Sequence, residues 1–141
     1  MVYKIYRLLI WVQGLYSLFT ALWGLIDIDS FMLVTGPKYD VWLVKTVSVL
    51  LVAISVSLLS FLYVRSHPLP AILLGGLTAS GLAAIDIYYT SIHRIKWVYL
   101  LDAAPELLFF AFWLYLLAKH KELNQKIELP NNNQFHSTES P

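Results

Sequence analysis

The stretch that most constrains this chain is residues 95–118, an apolar run that carries two acidic residues. It is long enough for a helix to cross a bilayer, which takes about 20 residues. Asp102 and Glu106 are four positions apart, so on a helix their carboxyl groups lie on one face, about one turn from each other. A charge at membrane depth costs from about 3 to more than 10 kcal/mol. We therefore expect this face to point into the protein, into a wet cavity or toward a partner.

Composition is typical of a membrane protein. Of the 141 residues, 58% are hydrophobic and only 13% are charged, whereas about a quarter of a soluble domain is charged. The net charge of +1 comes without a basic stripe, which gives no case for a nucleic-acid partner. The chain has no cysteine, so disulfides and thiolate metal sites are excluded.

Four apolar segments are each long enough for a membrane-spanning helix. Helices are expected because every backbone polar group must be satisfied internally in lipid. The predicted fold is all-α, a polytopic membrane four-helix bundle in residues 1–118. Residues 119–141 are polar, so we expect a disordered cytoplasmic tail there. The four predicted spans cover residues 6–26, 41–64, 69–90 and 95–118.

The distribution of Lys and Arg predicts the orientation. More basic residues flank one side of the spans than the other, which favours both termini in the cytoplasm and the 27–40 loop outside. The expected location is the bacterial inner membrane, with the lipid bilayer as the surroundings. The predicted inner side carries Lys4, Arg7, Arg65, Lys119, Lys121 and Lys126, and the outer side carries Lys38, Arg94 and Lys96.

Charged residues of three spans fall in the predicted outer half of the membrane. Lys45 and Asp86 each lie about one turn below the outer surface, while Asp102 and Glu106 lie roughly 9 Å and roughly 15 Å down. One lysine cannot compensate three acids, and intramembrane acids are functional by default. We predict that these four side chains form a ligand-binding pocket with Lys45 as the counter-ion. The alternative is purely structural, with Lys45 neutralising Asp86 or Asp102 and with Glu106 protonated and hydrogen-bonded to a helix backbone.

Aromatic residues surround the same end of the predicted bundle. Trp42 and Tyr89 are candidates for the pocket wall, against an apolar or cationic ligand. Anchoring at the membrane interface is the other interpretation of these rings. No histidine pattern indicates a metal site, and no motif indicates a cofactor, so we predict neither.

Small residues recur through the third predicted span. Gly76, Ser80 and Ala84 are four positions apart, a spacing that lets helix backbones approach closely. We expect this row to pack within the bundle and the third span to be its central member. A homodimer contact through the third span is the alternative.

Two resemblances rest on short motifs. Residues 34–46, Val-Thr-Gly-Pro-Lys-Tyr-Asp-Val-Trp-Leu-Val-Lys-Thr, with residues 85–89, Ile-Asp-Ile-Tyr-Tyr, resemble small four-span bacterial membrane proteins of unassigned function. This likeness covers residues 1–118 and implies no particular chemistry.

The chain also resembles the emopamil-binding-protein superfamily, whose members are four-span bundles that handle sterols and similar lipids. The second predicted span lacks the glutamate that this superfamily uses in its pocket, so the resemblance implies architecture and not isomerase chemistry. The motifs that fall in similar order are Gly14-Leu15-Tyr16, an acid at Asp27 or Asp29, Trp42 with Lys45, Pro70-Ala71-Ile72, and Ala104-Pro105 followed by Leu107-Leu108.

Three functions remain open from the sequence. The first is binding or transport of a small amphiphilic or lipid-like ligand in the outer pocket. The second is a lipid-modifying enzyme with Glu106, or Asp102, as general acid or base. The third is a non-catalytic subunit whose acids pair with a partner's basic span. Inward-facing acids would favour the first two, and acids on an outer helix face would favour the third.

Overall fold

The computed structural model describes residues 1–64 and 67–132, with side chains described up to residue 127. All regular secondary structure in this part of the chain is helical. Four of the helices are long and apolar enough to cross a membrane, as expected of a multi-pass membrane protein. The helices are α1 Val2–Ile26, α2 Ile28–Thr35, α3 Val41–Ser60, α4 Leu69–Ser91, α5 Tyr99–Ala118 and α6 His120–Asn132.

The long helices match the four predicted spans with shifted ends. The first begins at Val2 instead of residue 6, the second ends at Ser60 instead of residue 64, and the fourth begins at Tyr99 instead of residue 95. Large apolar side chains cover their outward surface, including Phe19 and Leu77, which are 73% and 70% exposed. Water would penalise such a surface and lipid would not. The all-helical fold with four apolar spans is confirmed.

The long helices pack mainly as two pairs, α1 with α3 and α4 with α5. Helix α1 also contacts α2, α5 and α6, and α3 contacts α4. Helices α1 and α4 both lie well inside the assembly, and the Gln13 side chain of α1 donates a hydrogen bond to the Gly75 carbonyl of α4. The inward face of α1 includes the buried residues Ile10, Gln13, Ser17 and Ala21.

The small residues of α4 that meet the interior include the first member of the predicted row, because Gly76 is buried, whereas Ser80 is half-buried and Ala84 is exposed. The adjacent row of Gly75, Ala79 and Ala83 is buried throughout. A Cβ atom built on Gly75 would overlap the indole ring of Trp113. The absence of a side chain at residue 75 therefore lets α4 and α5 approach each other closely.

The loop predicted at residues 27–40 contains the short helix α2. The Asp27 carboxylate caps this helix by accepting a hydrogen bond from the Ser30 amide at 3.1 Å, which holds the pKa of Asp27 below its usual range. Trp23 fixes α2 against α1, because its indole N–H donates to the Ser30 hydroxyl at 2.8 Å and its ring lies edge-on to Phe31. Helix α2 thus bends back over one end of the long helices.

The structure differs from the sequence prediction after α5. The region 119–141 was predicted as a disordered tail, yet α6 forms over residues 120–132. Leu123 is fully buried in the core and Ile127, one turn later on the same face, packs against it. These two apolar residues give α6 a face to bury, so the prediction of disorder is wrong for residues 120–132. Residues 133–141 lie outside the described part of the chain.

Candidate functional site

The three acids of the predicted pocket point inward. Glu106 on α5 is 1% exposed and Asp86 on α4 is 8% exposed, while Asp102 on α5 is half-buried. The carboxyl groups of Asp86, Asp102 and Glu106 lie close enough to interact electrostatically with one another. Asp86, Asp102 and Glu106 are called the carboxyl cluster below. The structure therefore brings together three of the four residues expected to form the polar centre.

Helix α1 supplies a hydroxyl group to this cluster. The phenol of Tyr16 donates a hydrogen bond to Asp102 Oδ1, and its ring packs edge-on against Phe109 with centroids 5.8 Å apart. This hydrogen bond joins Tyr16 on α1 to Asp102 on α5, so Asp102 connects α1 to the helix pair α4–α5. In contrast, the Oε2 atom of Glu106 is buried and has no hydrogen-bond partner within the part of the chain that the structure describes.

Lys45 does not take the place predicted for it. Its side chain is exposed on α3, and among the described residues the only ion pairs join Glu122 to Lys119 and Lys126. Helix α3 packs chiefly on α1 and makes only a minor contact with α4, the helix that carries Asp86. The assignment of Lys45 as counter-ion is therefore wrong, because its helix is not the neighbour that the charge pattern suggested.

The two candidate wall aromatics are exposed. Trp42 is on the first turn of α3, and Tyr89 lies near the end of α4 beside Tyr88, with ring centroids 5.2 Å apart. Neither lines the cavity next to the carboxyl cluster. The structure gives them the surface positions expected of interface anchors.

A cavity of about 310 Å³ lies between α1, α2 and the first turn of α5. Asp102 and Tyr16, which are hydrogen-bonded to each other, form the polar part of the cavity wall. Most of the remaining wall is apolar and aromatic. Ligand pockets typically measure about 300–1,000 Å³ and combine apolar walls with a few polar groups, so the cavity suits a small ligand. We call it the aromatic cavity; its lining residues are Tyr16, Phe19, Thr20, Trp23, Phe31, Val34, Thr35, Val98, Tyr99, Leu101 and Asp102.

Of the two candidate acid–base residues, only Asp102 reaches the aromatic cavity. Glu106, one turn further along α5, is not part of its wall. Among the described residues, no group of three His, Cys, Asp or Glu side chains is arranged to hold a metal ion. In the carboxyl cluster, Asp102 faces the aromatic cavity, whereas Asp86 and Glu106 do not line it.

A second buried polar contact lies one turn from Tyr16 along α1. The Gln13 amide donates to the Gly75 carbonyl at 3.0 Å and accepts from the Trp113 indole N–H at 2.5 Å. These three residues join α1, α4 and α5. The sequence predictions did not include Gln13 and Tyr16 as interior groups, because the predicted polar centre consisted of charged residues. The signal that could have found them is the polar face of the first span, where Gln13, Tyr16, Ser17 and Thr20 recur at helical spacing.

Comparison of the chain with protein-family profiles, with curated proteins and with solved structures finds no match.

Proposed function

We propose that this protein binds a small amphiphilic or lipid-like ligand inside a four-helix membrane bundle, for storage or transport. The apolar part of the ligand occupies the aromatic cavity, and its polar end meets Asp102 and Tyr16. Asp86 and Glu106 stand behind Asp102 as further acceptors or proton sites. The location is the bacterial inner membrane, with both termini in the cytoplasm and the cavity in the outer half of the bundle.

The observation that carries this proposal is the junction of the aromatic cavity with the carboxyl cluster. Asp102 borders about 310 Å³ of space in a half-open cleft whose walls are mainly apolar and aromatic. The cleft is open to the helix surface, because its lining residues Phe19 and Leu101 are largely exposed. Such a site has an apolar wall for a hydrocarbon group and one polar end for a headgroup.

The inward placement of the acids also helps to distinguish the pocket hypothesis from the subunit hypothesis. A subunit that recruits a basic span of a partner needs acids on an outer helix face, whereas Glu106 and Asp86 are buried. That placement favours a pocket over the subunit hypothesis. A lipid-modifying enzyme remains the second candidate, and in this geometry its acid or base is Asp102, since Asp102 borders the cavity and Glu106 does not.

Binding to lipid nanodiscs that contain the purified protein tests the proposal. The probes are four octyl compounds whose heads are trimethylammonium, phosphocholine, sulfate and hydroxyl, measured by calorimetric titration. We expect at least one probe to bind saturably and to be lost in Thr20→Phe, which fills the aromatic cavity.

Thr46→Phe is the matched control. Both threonines sit on long helices and both hydroxyls donate to the carbonyl four residues earlier, but Thr46 is exposed and remote from the cavity. The proposal is overturned if no probe binds, or if Thr20→Phe and Thr46→Phe bind every probe equally.

The orientation has its own test, because the chain has no native cysteine. Tyr39→Cys, at a fully exposed position in the segment between α2 and α3, should react with a membrane-impermeant maleimide in intact cells. Lys121→Cys on α6 should react only after the membrane is permeabilised. The reverse pattern would place the aromatic cavity on the cytoplasmic side.

A further inference from the structure

We infer that the ligand of the aromatic cavity carries a positive charge at its polar end, as a quaternary or protonated amine does, and that its arrival displaces a proton from the carboxyl cluster. This inference rests on the proposed binding function and names the class of ligand. It follows from the charges around the site and from the chemistry of the cavity wall.

The carboxyl cluster has no counter-ion among the described residues. No Lys or Arg in the described part of the chain pairs with Asp86, Asp102 or Glu106. The Tyr16 hydroxyl is uncharged, so its hydrogen bond to Asp102 does not neutralise a carboxylate. Charge inside an apolar helix interface is costly. The cluster must therefore be neutralised by bound protons or by a cation that enters from outside.

A second feature of the carboxyl cluster is the side chain of Glu106. This residue is 1% exposed, and its Oε2 atom has no hydrogen-bond partner among the described residues. A buried polar atom left unpaired costs free energy. Glu106 thus has a buried carboxyl oxygen that is free to pair with a further group, one helical turn from Asp102.

The walls of the aromatic cavity next to Asp102 suit an organic cation. The walls contain the rings of Trp23, Phe31 and Tyr99, and the faces of such rings attract organic cations. Helix α2 contributes only uncharged side chains to the cavity. Lys38 lies over the Tyr99 ring with its Nζ atom 4.8 Å from the centroid, but it does not line the cavity.

A metal ion fits the site less well than an organic cation. The carboxyl groups are not arranged as a set of ligands around one point among the residues described, and most of the space beside Asp102 is bounded by hydrocarbon. An amphiphilic cation uses both parts of the site, with its charge at Asp102 and its hydrocarbon along the rings. The exchange is balanced in charge: one cation enters, and one carboxyl proton leaves to water.

The experiment compares octyltrimethylammonium with the isostere in which tert-butyl replaces trimethylammonium, using the nanodiscs described above. The two probes have the same shape and differ in charge. We expect the cation to bind at least tenfold more tightly, and its affinity to rise with pH by about tenfold per unit while one proton is being displaced. Titration in two buffers of different ionisation enthalpy should show one proton released per cation bound.

Two variants separate charge from structure. Asp102→Asn keeps an oxygen to accept from Tyr16 and removes the cavity-facing charge, so it should abolish the preference for the cation. Tyr16→Phe removes the hydroxyl and keeps the charge, so it should retain that preference. Asp40→Asn, at an exposed acid outside the helix interface, is the control. Thermal unfolding of each variant shows whether it is folded.

The outcomes distinguish this inference from the proposed function. If the uncharged isostere, the sulfate or the alcohol binds as well as the cation and is lost in Thr20→Phe, the cavity binds ligands but the inference of a cation is overturned. The inference is also overturned if cation binding does not change with pH, or if Asp102→Asn keeps the preference. If no probe binds, both the inference and the proposed function are overturned.

Discussion

Replacing Gln13 tests whether the buried polar contact between three helices stabilises the fold. Gln13 is 1% exposed and spans from the Gly75 carbonyl to the Trp113 indole N–H. Gln13→Leu keeps a similar volume but leaves that indole N–H without an acceptor. Trp113→Phe leaves Gln13 Oε1 without its donor, and the double variant leaves neither group unpaired.

The expected change in the free energy of unfolding depends on the polar group that each single substitution leaves buried without a partner. An unsatisfied buried polar group costs about 1–3 kcal/mol, while side-chain hydrogen bonds in one membrane protein averaged about 0.6 kcal/mol and reached about 1.7 kcal/mol. The complete burial of Gln13 and Trp113 favours the upper part of the second range. We expect the double variant to be more stable than the sum of the single changes predicts, by about 1–1.7 kcal/mol.

The assay is unfolding of the purified protein in mixed micelles by increasing dodecyl sulfate, followed by pulse proteolysis. This readout does not depend on tryptophan fluorescence, which Trp113→Phe would alter. Independent sites add within about 0.3–0.5 kcal/mol. A coupling free energy within that error of zero would refute the assignment of Gln13 and Trp113 as an energetically coupled pair.

Two further predictions concern packing. Gly75→Ala should destabilise the protein by about 1–3 kcal/mol, because the added methyl group overlaps the Trp113 ring. Gly81→Ala, where a Cβ meets nothing within 4 Å, should leave the dodecyl sulfate midpoint unchanged or raise it; equal loss in both variants would contradict the α4–α5 packing. Leu123→Ala should cost about 2–3 kcal/mol and increase proteolysis of α6, since Leu123 is fully buried. Gln125→Ala, at an exposed position of α6, is its control, and unchanged proteolysis of Leu123→Ala would argue against a docked α6.

The sequence predicted the features that follow from the cost of charge in lipid. Long apolar runs predicted the four helices, and the expense of exposing Asp86 and Glu106 to hydrocarbon predicted that they face inward. Helical spacing placed Asp102 and Glu106 on one face. These expectations needed no knowledge of which helices are neighbours.

The features that the sequence did not predict depend on which helices pack together, or on a few apolar residues within a mostly polar segment. The predicted depth of Lys45 is suitable, but its side chain is exposed and α3 packs mainly on α1, with only a minor contact to α4. Tyr16 and Gln13 are uncharged, so a search for charges passes over them. Leu123 and Ile127 are outnumbered by polar neighbours, so average composition conceals the apolar face of α6.

The central claim is that Asp102 lies at the wall of a cavity that a small ligand can enter, and the rate at which a thiol in that wall reacts tests it most directly. Thr20→Cys puts a thiol on the wall of the aromatic cavity in a chain with no other cysteine, and Thr46→Cys puts one on the exposed face of α3. Both are treated with a trimethylammonium thiosulfonate and with its sulfonate counterpart. We predict that the cationic reagent reacts faster at Thr20→Cys than at Thr46→Cys. At Thr20→Cys the cationic reagent should also react faster than the anionic one, and adding Asp102→Asn should remove that difference. Equal rates of the two reagents at Thr20→Cys, or no reaction there, would contradict the claim.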